Sequence, residues 1–294
     1  MLNCTPLRYP GGKSLMTSFF IDIFKVNEMR GVTYAEPYAG GAGTALNLLL
    51  LEEVDRIIIN DANICVYSFW KYVISETQRF IDKIMTTPVD LETWSIMHNL
   101  IKGAVNPSFD LGFATFFLSR TNRSGILNAG PIGGNTPQKQ ELAMYKIDCR
   151  FNREDMAKRV LEIGKRGNQI TVLHKDAIKF LKDLKGKDKF VYLDPPYYDK
   201  GKSLYLDYYQ HSDHKELSDY LHKTRKFRWV LSYDNVFNIR EMYKDFDLYK
   251  FFLSYTAQNV KQGSELLTHS RDLLLPEHMN IRRKGNDIPL IRIN

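Results

Sequence analysis

Four apolar residues, Phe190-Val191-Tyr192-Leu193, run directly into Asp194-Pro195-Pro196-Tyr197. A short apolar run that stops at two prolines predicts a buried strand with a sharp end, because proline fixes φ and has no N–H to continue a ladder. In an open α/β sheet, ligand sites form at the carboxyl ends of strands. The two prolines leave carbonyls free to accept hydrogen bonds. An aspartate beside such a carbonyl gives two acceptors side by side, matching the two donors of an exocyclic amine. An aromatic ring follows that can stack on a flat base. The plain alternative is a proline-rich turn in which Tyr197 only packs.

The rest of the chain supplies a sheet to carry that end. Thr33-Tyr34-Ala35-Glu36-Pro37 reads as a strand. It leads through Gly40-Gly41-Ala42-Gly43 into the apolar run Thr44–Leu50, which makes strand, glycine turn and helix. Arg56–Asp61 reads as a second strand ending in an acid. From about 64 to 168 the pattern becomes helical and aromatic, broken by a stretch rich in Gly, Asn and Pro from Thr121 to Pro137. Strands return at Gln169–Leu173, Phe190–Leu193 and Trp229–Ser232, with helices expected at Ala177–Leu184 and Asp213–Arg225. Asp247–Ser254 and Glu265–His269 read as a final strand pair turning at Gln262-Gly263. These elements predict an α/β chain whose core, 1–63 and 169–294, is split by a helical insertion at 64–168.

Two further stretches bear on a ligand. The glycines after Glu36 let backbone approach a bound molecule closely at a helix start, though they do not form the G-x-G-x-x-G fingerprint. Asp61 can accept hydrogen bonds from two ribose hydroxyls, and it can equally be a helix cap. Arg8-Tyr9-Pro10-Gly11-Gly12-Lys13-Ser14 is either a plain loop or a segment setting Lys13 and Tyr9 against a ligand.

Composition narrows the partners. The formal net charge is +7. From Arg150 to Phe190 there are 12 Lys or Arg against 6 Asp or Glu, and Arg282-Arg283-Lys284 adds to the excess. Clustered positive charge favours a polyanion, although a solvated lysine-rich surface has the same composition. No run of about 18 apolar residues predicts a membrane span. The start lacks a secretion-signal pattern, and Cys4, Cys65 and Cys149 match no metal or redox spacing. A cytoplasmic location with reduced thiols is expected. His211-Ser212-Asp213-His214 has no second ligand cluster and reads as a loop entering a helix; no metal is expected.

The order Tyr9-Pro10-Gly11-Gly12-Lys13, Glu36-Pro37 with Gly40–Gly43, Asp61, then Asp194-Pro195-Pro196-Tyr197 resembles the Dam-like class of adenine-N6 DNA methyltransferases over nearly the whole chain. The resemblance implies a Rossmann-like S-adenosylmethionine-dependent methyltransferase sheet with a helical target-recognition insertion. It implies that Tyr9, Lys13, Glu36, Pro37, Gly40, Gly41, Gly43, Asp61, Asp176 and Asp194 bind S-adenosyl-L-methionine. Asp176 is equally explained as a helix cap. Asp194, Pro195, Pro196 and Tyr197 would form the catalytic tetrapeptide acting on an adenine flipped out of double-stranded DNA.

Arg120, Asn122, Arg123, Ser124 and Asn128 resemble the family's DNA-contacting segment. Arginine can bridge to guanine or phosphate, and asparagine can pair with adenine. Better-known members carry Asn-Gly where this chain has Ser124-Gly125, and Arg at Asn128, so a GATC target does not carry over. The rival readings are cytosine-N4 or RNA methylation, and a DNA-binding regulator without catalysis. Asp194 argues for adenine, since many cytosine-N4 enzymes have Ser there. A cognate restriction enzyme is a candidate partner, and action on DNA as a monomer is expected.

Overall fold

In chain order the strands are β1 (Thr33–Glu36), β2 (Arg56–Asn60), β3 (Ile170–Leu173), β4 (Lys189–Leu193), β5 (Arg228–Asp234), β6 (Tyr249–Ala257), β7 (Asn259–His269), β8 (Asn280–Arg283), β9 (Asn286–Pro289) and β10 (Ile291–Arg292). They come from a computed structural model that describes residues 4–186, 188–199, 209–257, 259–283 and 286–294. Met1, Leu2 and Asn3 of the start, and Lys187 and Lys284 of the basic stretches, lie outside the described residues. The chain divides into two compact units: Lys13–Asn60 with Lys175–Asn294, and Cys4–Gly12 with Asp61–His174.

In the first unit the strands run β10-β6-β7-β5-β4-β1-β2. β2, β1, β4 and β5 are mutually parallel; β7 then pairs antiparallel with β5, β6 antiparallel with β7, and β10 antiparallel with β6. Phe190 to Leu193 are all buried, as are Trp229 to Tyr233. Strands covered on both faces read as unbroken apolar runs, which is why these two were visible in the sequence. The helix Thr17–Val26 buries Phe19, Phe20, Ile23 and Phe24. The Phe20 ring lies 5.3 Å from Phe190 and 4.9 Å from Tyr192, centroid to centroid. From β1 the chain passes to β2 on one side, while β4 lies on the other side. The strand order thus reverses between β1 and β4, and their carboxyl ends flank a topological switch point.

The second unit is built around the helix Phe109–Thr121, buried on every side. Phe69, Phe80, Phe113 and Phe116 meet there with no exposed surface. Polar side chains fix where the helices begin: Asn63, Asp90, Ser108 and Asn152 each accept from backbone N–H groups of the first turn. Residues 4–12, expected in the core, instead belong to this unit. Arg120 Nε donates to the Pro6 carbonyl at 2.6 Å and Arg159 Nη1 to that of Thr5 at 2.9 Å.

Three local expectations change. Gln262 and Gly263 do not turn the final hairpin; they lie inside β7, opposite Ser254 and Leu253, and the pairing runs on to Ala257 and Asn259. A glycine dipeptide marks a turn only where the ladder stops, and here it continues. His211 to His214 form the first turn of the helix His211–Lys223, not a loop. Asp213 accepts from the Gln210 N–H at 2.7 Å in a capping box. The last strands, β8 to β10, are too short to show a hydrophobic period.

Candidate active site

Asp194 follows β4 at the switch point, and three elements converge on it. Its Oδ1 accepts from Ser232 Oγ on β5 at 2.8 Å and from Lys13 Nζ at 2.9 Å, with Oδ2 at 3.2 Å from the same ammonium. Tyr192 OH lies 2.7 Å from Ser232 Oγ and acts as donor, since the serine proton is committed to Asp194. The Asp194 side chain keeps 21% of its surface exposed, so acceptor capacity still faces solvent. Tyr197 is buried; its hydroxyl donates to Glu265 Oε1 at 2.6 Å and accepts from Lys13 Nζ at 3.2 Å. Asp234, at the end of β5, accepts from the N–H groups of Tyr198 and Asp199 and fixes the chain beyond the tetrapeptide.

Lys13 is the centre of this arrangement. Its ammonium lies 2.9 Å from Asp194 and 3.1 Å from Glu265 Oε2. Burial disfavours its charge, but Asp194 and Glu265 more than reverse that and raise its pKa well above the ordinary lysine value. Burial raises the Asp194 carboxyl as well; Lys13 opposes the rise and Glu265 adds to it. The sequence left Lys13 either in a plain loop or against a ligand. In the structure its ammonium faces Asp194, Tyr197 and Glu265. Neither Glu265 nor Ser232 was a sequence candidate.

A second cluster sits at the end of β1. Glu36 is buried, and its Oε1 accepts from Tyr34 OH at 2.9 Å and the Ala45 N–H at 3.2 Å. The glycine turn after it is tight: Ala42 N–H donates to the Ala39 carbonyl, and Gly40 and Ala42 both adopt positive φ. Gly43 opens the helix Gly43–Leu50, where a Cβ would stand 3.2 Å from the Ser14 Cβ. Thr44 Oγ1 donates to the Lys13 carbonyl, tying that helix to the segment carrying the ammonium. Asn60 closes the arrangement from the end of β2. Its Nδ2 donates to the Pro37 and Lys175 carbonyls, and its Oδ1 accepts from the Lys175 N–H, each at 3.0 Å. Asp176 caps the helix Ala177–Asp183 through Lys179 N–H, as the capping alternative predicted. A cofactor bearing a cationic amino-acid end fits the buried Glu36 carboxyl beside this turn.

Burial raises the Glu36 pKa to about 8, although the Tyr34 and Ala45 donors pull the other way. The folded chain therefore holds a proton that the unfolded chain releases near 4.5. The linked stability is complete below that pH and is lost as pH rises through about 8. We expect the unliganded chain to lose melting temperature between pH 5 and pH 8, and Glu36→Gln to flatten that slope in the same scan. Parallel slopes for the two proteins would contradict the assignment.

The remaining sequence candidates lie in the second unit. Asp61 Oδ1 accepts from the Asn63 N–H at 2.9 Å, and Tyr9 is half-buried. Asn122 is fully buried. Its amide donates to the Ile126 and Leu127 carbonyls and accepts from Trp94 Nε1 at 2.6 Å. Arg120 is turned onto the Thr5 and Pro6 carbonyls, and burial beside Arg159 pulls its pKa down to about 10. In the structure both hold the loop from within, Arg120 on the Thr5 and Pro6 carbonyls and Asn122 on two carbonyls and the Trp94 indole. Arg123, Ser124 and Asn128 are exposed. Gly125, at φ +72°, lies so close to the Arg8 carbonyl that a Cβ would stand 2.3 Å from its oxygen. Arg120→Ala is expected to cost about 2 kcal/mol in a urea titration by stranding buried carbonyls. A fully stable variant would contradict that role. Among the described residues no group of three His, Cys, Asp or Glu could hold a metal.

A family model described as D12 class N6 adenine-specific DNA methyltransferase matches residues 9–256. No curated protein matches the chain. Among solved structures, a conserved hypothetical protein of Streptococcus pyogenes is similar at 11% identity, covering 83% of this chain and 92% of its own, with a TM-score of 0.30.

Proposed function

Because the chain belongs to the D12 class of N6 adenine-specific DNA methyltransferases, we propose that it methylates adenine in DNA at the carboxyl ends of β4 and β1, with Asp194 as the group that grips the amine. The observation that carries this reading is a partly exposed carboxylate at a switch point, oriented from behind by Ser232 and Lys13. Bound S-adenosyl-L-methionine supplies the electrophilic methyl group.

The chain's own residues do the rest. Glu36 and the turn through Gly40, Gly41 and Gly43 hold the amino-acid end of the cofactor, with Pro37 shaping the approach. Asp176 stands near its adenine end. For Tyr9 and Asp61 the cofactor role rests on the sequence resemblance. The target adenine must leave the duplex stack before its amino group is accessible. Asp194 and the Pro195 carbonyl accept its two N–H bonds, and Pro196 fixes the backbone that presents Tyr197 to the base. Accepting both N–H bonds draws the nitrogen lone pair out of conjugation with the ring. Asp194 then takes the proton that the nitrogen sheds on gaining its methyl group. Such catalysis is positional and electrostatic.

Exposed Arg123, Ser124 and Asn128 are the DNA-facing residues of the loop. Arg123→Ala is expected to lower DNA affinity and to reduce the salt slope of binding by about 1. An unchanged slope would remove Arg123 from the interface. The function itself is tested by modification-sensitive sequencing of DNA from cells expressing the chain. N6-methyladenine in one sequence context is expected. Modification at cytosine N4, or none, would overturn the reading.

A further inference from the structure

We propose that Glu265 is a positioning residue for methyl transfer: by sharing the Lys13 ammonium with Asp194 and anchoring the Tyr197 hydroxyl, it sets the charge and position with which Asp194 meets the target amine. The inference rests on the adenine-methylation reading and names a residue which that reading does not use.

Two carboxylates bracket one ammonium. Lys13 Nζ lies 2.9 Å from Asp194 and 3.1 Å from Glu265, and both Lys13 and Glu265 are almost fully buried. With Asp194 alone, Lys13 would form a neutral pair, and little net charge would face the amine. With Glu265 present, the group carries one negative charge in excess. The exposed part of that group belongs to Asp194, whose side chain is 21% accessible against 2% for Glu265. As the nitrogen takes a methyl group it gains positive character, so a net negative cluster stabilises the transition state more than the ground state. The second carboxylate oxygen does separate work. Glu265 Oε1 accepts from Tyr197 OH at 2.6 Å, which sets the ring of the tetrapeptide's last residue.

The groups facing Asp194 are Lys13, Ser232 and Tyr192 in its immediate surroundings, Glu265 and Tyr197 behind the ammonium, and Tyr34, Glu36 and Tyr233 at longer range. Among the described residues, Glu265 and Glu36 are the carboxyls of this group. Removing the Glu265 charge therefore lowers the pH at which Asp194 ionises, because a neighbouring negative charge is lost.

The test compares Glu265→Gln and Glu265→Asp with the unmodified chain in single-turnover methylation of duplex DNA across pH. Glu265→Gln is expected to slow transfer by about 10- to 100-fold, leave KM for DNA nearly unchanged, and move the acidic limb of the profile to lower pH. Glu265→Asp keeps the charge and is expected to restore the position of the limb, with an intermediate rate. A Glu265→Gln rate and profile equal to the unmodified chain's would overturn the inference. So would a loss of rate with an unmoved limb, which a merely structural residue would give. If neither variant folds in a circular-dichroism melt, carboxyl carbon-13 NMR of the unmodified chain decides. Asp194 is expected to ionise above the ordinary aspartate range, and an Asp194 curve in the ordinary range would overturn the proposal. Failure of the unmodified chain to methylate adenine at all would instead strike at the proposed function.

Discussion

Asp194→Ala is expected to lower single-turnover methyl transfer by about 1,000-fold or more while duplex-DNA affinity stays nearly unchanged. The size of the loss follows from where the carboxylate acts. In the proposed reaction it accepts the amine N–H, orients the nitrogen and receives the shed proton, so its interactions strengthen in the transition state. The variant should still fold. Lys13 keeps Glu265 at 3.1 Å, so removal of one carboxylate leaves a neutral buried pair rather than a stranded ammonium. Ser232 loses its acceptor and keeps Tyr192 as a partner. Tritiated-methyl incorporation and filter binding measure the two quantities separately. Transfer within tenfold of the unmodified chain would mean that another group grips the amine.

The second large effect is on stability. Asn60→Leu keeps nearly the same volume and removes three hydrogen bonds from a fully buried side chain. The Pro37 and Lys175 carbonyls and the Lys175 N–H then lose a partner inside the fold. Stranding buried groups costs about 1 to 3 kcal/mol each, so a loss of about 4 kcal/mol is expected from chemical denaturation. The segments released are those that begin the glycine turn and precede Asp176, so affinity for S-adenosylmethionine should fall too. A change below about 1 kcal/mol would show that the loops hold themselves.

The parallel strands were legible because burial on both faces makes β4 and β5 continuous apolar runs. The tetrapeptide was legible because proline ends a strand audibly in any sequence. What could not be read was the far side of the site. Lys13 and Glu265 meet only through the pairing of β7 with β5, and such register is a long-range property. Gln262 and Gly263 misled for a related reason: local turn chemistry was outweighed by a ladder to Leu253 and Ser254. Asn122 and Arg120 carry the residue types that meet DNA, but composition does not say whether a polar group faces out or holds a loop from within. Their backbone partners, Leu127 and Pro6, become visible only in three dimensions. Asn60 gave no signal because its partners, Pro37 and Lys175, lie on loops far apart in the chain.

β7 lies between β5 and β6, so a strand synthesised after both of them becomes an interior one. A chain still emerging from the ribosome after residue 256 would already hold Asp194 and its prolines, yet Lys13 would lack its second counter-charge. The order of synthesis thus acts as a timer, delaying a competent active centre until β7 has been delivered.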